Sequence, residues 1–149
     1  MASIVTVAYT GISQSASDAK RNSDMNLYYK AILQARVLAG SNLKTITGSG
    51  YSVGYCTTLG QNPSATEPKD LPKTHNCWVL YYDNLNKIGA AAGMDLSALR
   101  AGDSRGNPYG IDENEGESGC NRTDNMWSFT GNGSDAVYFR SVPLFGDCS

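Results

Sequence analysis

Asp103-Ser-Arg-Gly-Asn-Pro-Tyr-Gly-Ile-Asp-Glu-Asn-Glu-Gly-Glu117 is the stretch of this 149-residue chain on which the fold turns. Gly106-Asn-Pro108 is a turn signal, because asparagine and glycine tolerate tight backbone and proline cannot continue a helix. A short strand follows at Pro108 to Ile111, and then a burst of carboxylates. A second glycine-broken loop comes later, Ser128-Phe-Thr-Gly-Asn-Gly-Ser-Asp135. Between these turns lie three runs with strand character: Asn107–Asp112, Asn125–Thr130 and Asp135–Val142. In the last of them Val137, Phe139 and Ser141 alternate with Tyr138, Arg140 and Val142, as in a half-buried strand. The C-terminal third therefore reads as a small antiparallel sheet whose loops carry oxygen ligands. Glu113 and Glu115 could in principle form a glycosidase pair, but adjacent carboxylates on one loop are expected to be hydrated.

Working back toward the N-terminus, no proline occurs from Ile4 to Ala39, and Gly40-Ser-Asn supplies a stop. One long helix is expected, and 36 residues at 1.5 Å each would run about 54 Å. Its character changes midway. Residues 13–24 hold nothing apolar larger than alanine, whereas Met25, Tyr28, Ile32, Ala35 and Ala39 recur at helical spacing, flanked by Leu27, Ala31 and Leu38. The second half is expected to dock on the sheet and the first half to lack a partner in its own domain. Between helix and sheet, Trp78, Tyr82, Leu85, Ile88 and Ala92 predict a second helix from Asn76 or Cys77 to Ala92, ended by Gly93. A strand is expected at Tyr51–Cys56, a proline-containing loop at Gln61–Pro72, and a further turn from Asp95, its N-cap, to Arg100. The class is α+β, in one domain: helix over residues 1–40, connector over 41–102, sheet and C-terminal loops over 103–149.

Charge is unevenly spread. Residues 1–102 hold nine Lys/Arg against six Asp/Glu, and residues 103–149 hold three against eight. No basic cluster is dense enough for a nucleic-acid surface, so that partner is not expected. Cys56, Cys77, Cys120 and Cys148 include no CxxC, which disfavours a zinc ribbon. Two disulfides are expected instead, Cys56–Cys77 and Cys120–Cys148, each closing one loop, though the count alone allows three pairings. Disulfides imply an oxidising compartment. The opening apolar residues fall short of the ~20 that cross a bilayer. The chain is thus expected to begin inside a longer apolar stretch. His75 is the only histidine, and no P-loop, HExxH, GxGxxG or Gly-x-Ser-x-Gly occurs. Enzyme activity is not expected, and His75 reads as an exposed loop residue.

Several stretches together resemble the type IV pilin and pseudopilin family. Ala2-Ser-Ile-Val-Thr-Val-Ala-Tyr9 is similar to the end of that family's apolar helix, with Val7 where many members have proline. Ser17-Asp-Ala-Lys-Arg-Asn-Ser-Asp-Met25 resembles its helix where it enters the globular domain. Asp103-Ser-Arg-Gly-Asn-Pro-Tyr109 resembles the strand lead-in Asp-Pro-Trp-Gly-Asn-Pro-Tyr, with Ser104 and Arg105 in place of Pro-Trp. Asp112 to Glu117, with Cys120 after it, and Ser128-Phe-Thr-Gly-Asn-Gly133 resemble later segments of pilin-like chains.

The resemblance implies a subunit of a bacterial surface filament, anchored in the cytoplasmic membrane by an upstream helix before assembly. Its partners would be further pilin subunits and the pilus or secretion assembly machinery. Ile4, Val5, Val7, Ala8, Tyr9, Ile12 and Ala16 would make the contacts between subunits. It also implies one metal: calcium, held by Ser128, Asn132 and Asp135 with Asp124 near enough to join, Asn132 replacing an aspartate. No other cofactor is expected. Roles in adhesion, twitching motility, DNA uptake or type II secretion all fit the family. From a different class, nine tyrosines and two tryptophans suggest a secreted ligand- or carbohydrate-binding module.

Overall fold

The computed structural model describes residues 3–48, 56, 67–115, 122–129 and 136–146, with side chains from residue 13 onward except those of 136–139. Helix α1 runs over Ser3–Ala39, a continuous 37 residues. It stops at Gly40, whose φ of +61° lets the chain turn back so that the Ser41 amide reaches the Arg36 carbonyl at 3.3 Å. A short helix α2, Leu43–Thr47, follows at once. Asn42 caps it by accepting the Thr45 amide at 2.9 Å. Helix α3 spans Asn76–Ala92 and ends on left-handed Gly93, as its periodicity requires. Single 3-10 turns occupy Pro68–Asp70 and Ser97–Ala101.

Three strands make one antiparallel meander, β1 (Gly110–Asp112), β2 (Asp124–Phe129) and β3 (Ala136–Val142), in the order β1-β2-β3. Ile111 pairs with Met126 and Asp124 with Val142, and the register shifts between Met126 and Trp127. The class is α+β, a long N-terminal helix with a small three-stranded antiparallel sheet. A single core draws on all three stretches of the chain. Met25, Tyr28, Ala31, Ile32 and Ala35 of α1 are buried with Trp78, Tyr81, Leu85 and Ile88 of α3, and with Ile111, Met126, Phe129 and Val142 of the sheet.

Several expectations need correction. Helix α1 packs chiefly on α3, and only secondarily on the sheet. Its apolar stripe ends at Ala35: Leu38 and Ala39 are exposed, and Arg36 is buried in their stead. Strand β1 starts three residues later than expected, because Asn107 is consumed by the turn before it. Asp95 does accept the Ser97 amide at 2.8 Å, but the turn it supports begins at Ser97. The strand expected at Tyr51–Cys56 lies outside the described residues, save for Cys56 itself.

Candidate functional site

Two clusters of polar side chains bind α1 to the acidic stretch. The first is the turn at residues 102–109. Asp103 accepts the amides of Arg105 and Asn107 on one carboxylate oxygen, at 2.9 and 2.8 Å. Its own amide donates to the Asn107 carbonyl at 2.8 Å. Asn107 carries the network outward, accepting the Lys69 amide at 2.9 Å and donating to Glu67 at 3.2 Å. Gly102 makes the turn at φ +79° and ψ −163°, where a Cβ would sit 2.2 Å from the Asn107 carbonyl oxygen.

This turn is the partner that the polar half of α1 was expected to lack. Lys20 donates to the Gly102 carbonyl at 2.9 Å and pairs with Asp24, one helical turn on. Asp24 accepts the Tyr109 hydroxyl at 2.8 Å. Burial and the Asp24 carboxylate together push the Tyr109 hydroxyl well above its usual pKa, so it stays a donor. Ser17 and Ser104 share a hydrogen bond between hydroxyls. Hydrogen bonds from Ser17, Lys20 and Asp24 join this turn to α1, beside the buried Tyr109 ring.

The second cluster is the carboxylate burst, and it is not hydrated. Glu113, Glu115 and Asp124 are fully buried. Glu115 forms an ion pair with Arg36, which is 1% exposed, and its other oxygen accepts the Phe145 amide. Arg36 also donates to the Pro143 carbonyl at 2.8 Å and lies 5.2 Å from the centre of the Phe145 ring. Glu113 accepts the Thr47 hydroxyl at 3.1 Å. Asp124 accepts the Glu115 amide at 2.7 Å, while its second oxygen has no hydrogen-bond partner among the described residues. Burial pushes the Asp124 carboxyl up to about 6, against the pull of the Glu115 amide and Arg36. One guanidinium thus ties the helix, the carboxylate loop and the C-terminal segment together.

Of the residues expected to hold calcium, Asp124 and Ser128 are described and face the same buried side of β2. They stand four positions apart on the strand, about 13 Å at the usual rise. A calcium ion keeps its oxygens within about 2.6 Å, so one ion in this loop would draw on one of the two and not both. Asn132 and Asp135 lie outside the described residues. No group of three His, Cys, Asp or Glu among the described residues is placed to hold a metal.

The disulfide Cys56–Cys77 is formed, with Cα atoms 4.7 Å apart, and ties the connector to the start of α3. Cys120 and Cys148 lie outside the described residues, as do the side chains of Ile4, Val5, Val7, Ala8, Tyr9 and Ile12. Ala16 is exposed. His75 corrects another expectation, for it is half-buried and caps α3, accepting the Cys77 amide on Nδ1 at 3.2 Å. Many of the aromatics are structural. Trp78 and Tyr81 are buried, with ring centroids 5.9 Å apart, Tyr28 is buried, and Arg140 lies 3.7 Å from the centre of the half-buried Tyr29 ring. Sequence reasoning missed Arg36. The signal available was an arginine four residues after Ile32, on the flank of the apolar stripe, in a chain with carboxylates to spare.

Compared with protein-family models, with curated proteins and with solved structures, the chain finds no match. Among the described residues no helix is long and apolar enough to cross a membrane.

Proposed function

We propose that this chain is the outer domain of a filament subunit of the type IV pilin kind, a structural protein that works by self-association. The observation that carries the reading is the unequal use of α1. Met25, Tyr28, Ala31, Ile32, Ala35 and Arg36 are buried, Ser17, Lys20 and Asp24 are hydrogen-bonded to the turn at 102–109, and Ser13 to Ala16 are exposed. The apolar sequence Ile4 to Ile12 continues on the same helix, whose 37 residues extend about 55 Å. Such a helix is rooted at one end and offers an apolar segment to other copies at the other. The resemblance at Ala2–Tyr9, Ser17–Met25 and Asp103–Tyr109 points the same way. In this reading an upstream helix anchors the subunit in the cytoplasmic membrane until the assembly machinery moves it into a filament at the cell surface. Pilus and secretion pseudopilus are two settings of one mechanism.

The test is to shear surface fibres from producing cells and probe them with antibody raised against residues 1–149. Labelling along the fibres, lost when the gene is deleted, is expected. Fibres that stay unlabelled while the protein is recovered as a freely secreted monomer would overturn the reading.

A further inference from the structure

We propose that the groove between α1 and the turn at 102–109 binds an oxyanion carried on a hydroxyl-rich ligand, that is, a sugar acid or sugar sulfate. Ser13, Gln14, Ala16, Ser17 and Lys20 line its helix side, and Ser104 and Arg105 the other. Two cations, three hydroxyls and a carboxamide line the groove, and the neighbouring carboxylates, Asp18 bonded to Gln14 and Asp24 paired with Lys20, are outside its lining. That is notable in a chain whose net charge is −2.

The two cations are not equivalent. Lys20 is committed to the Gly102 carbonyl and to Asp24. Arg105 is exposed, and among the described residues no carboxylate pairs with it. Its backbone is nevertheless fixed, since its amide is held by Asp103 in a turn closed by Asn107. A guanidinium on a rigid turn is prepared for a planar or tetrahedral oxyanion, because less freedom is lost on binding. The Ser13 hydroxyl, and the Ser17 and Ser104 hydroxyls with the capacity left by their mutual hydrogen bond, match the hydroxyls of a saccharide. The stretch resembling a pilin strand lead-in also departs from that pattern here: a cation stands where the resemblance has tryptophan. The groove lies within one copy, so its test on the purified chain is separate from that of the filament reading, in which Ala16 on the groove's helix side would also meet another subunit.

The experiment is titration of the purified chain, followed by isotope-edited NMR, at low salt. Four probes are used: a sulfated disaccharide, a disaccharide uronate, a neutral disaccharide and inorganic sulfate. Shifts at Ser17, Ser104 and Arg105 are expected with the sulfated or the carboxylated sugar, and which of the two is tighter identifies the source of the oxyanion. Arg105→Ala should weaken binding about tenfold or more, as loss of a charge-assisted hydrogen bond does. Arg122→Ala, on an exposed residue outside the groove, should leave it unchanged. Equal affinity for inorganic sulfate would reduce the groove to a simple anion site and sink the saccharide. No shift with any probe at millimolar concentration, or full binding by Arg105→Ala, would overturn the proposal.

Discussion

The Asp103–Glu117 stretch has two halves built from the same residue types, and they do opposite things. In the first half the Asp103 carboxylate bonds to backbone within four residues and closes a turn, from which Asn107 reaches the neighbouring turn at Glu67 and Lys69. In the second, Glu115 reaches an arginine 79 residues away and is removed from water entirely. The local half needs an acceptor of the right shape. The long-range half needs a charge, because a buried guanidinium without its counter-ion is severely penalised.

The largest effect expected from this contrast is at Arg36. Arg36→Met leaves Glu115 buried without its ion pair, and should cost about 3–5 kcal/mol in urea unfolding. The double variant Arg36→Met/Glu115→Leu removes both charges and should recover most of that loss, since apolar groups of similar volume often replace a buried pair without penalty. A single variant costing under about 1 kcal/mol would mean that the pair is solvated after all. Next comes Gly102→Ala. The backbone there is one that L residues rarely adopt, and the new methyl would meet the Asn107 carbonyl at 2.2 Å. A loss of about 2–3 kcal/mol is expected. The Ser17 and Lys20 amides should lose hydrogen-exchange protection along with it, because both side chains bond to this turn.

The buried cluster around Glu115 also answers to pH, through Asp124. Burial raises the Asp124 carboxyl from 3.8 to about 6, so the folded state holds its proton more tightly than the unfolded chain does. Stability from this group is therefore fully present below pH 4 and is lost as pH rises through 6. Between pH 7 and pH 5 the gain on acidification should be about 1 kcal/mol. Asp124→Asn keeps an oxygen for the Glu115 amide and should flatten this slope. An unchanged slope in that variant would assign the pH response to another group.

How much of this was legible in the sequence follows the same division. Local signals read well: α3 came from its apolar spacing and Gly93, the turn from Gly-Asn-Pro, and the three strands from their flanking turns. The helix α2 was hidden because five residues are too few for periodicity, and only Asn42 with Thr45 three residues on marked its start. His75 looked like a loop residue because capping is a matter of position and not of composition. The burial of Glu113, Glu115 and Asp124 was illegible for a stronger reason. Carboxylates are almost never fully buried unless paired, and nothing local to residues 112–117 names a partner on α1. Likewise the polar half of α1 seemed unpartnered because hydropathy weighs side chains, and Lys20 binds a backbone carbonyl.

The smallest expected effect separates the two halves most cleanly. Asp103→Asn and Glu115→Gln are the same chemical change, loss of one charge with shape retained. At position 103 the oxygen that accepts the Arg105 and Asn107 amides survives as a carboxamide oxygen, so the turn should keep its geometry. Asp103→Asn is expected to move stability by about 0.5 kcal/mol, because the buried side chain keeps its acceptor for both amides. Glu115→Gln keeps an acceptor for the Phe145 amide but leaves Arg36 with no charge partner in direct contact among the described residues, and should cost several times more. Calorimetric or urea midpoints of the two variants, measured side by side at pH 7, decide the matter. Equal losses would mean that charge matters at both sites and that the turn is more than local geometry. Equal and negligible losses would mean that the Arg36 clasp is held by its hydrogen bond to the Pro143 carbonyl and its contact with the Phe145 ring, with the ion pair incidental to them.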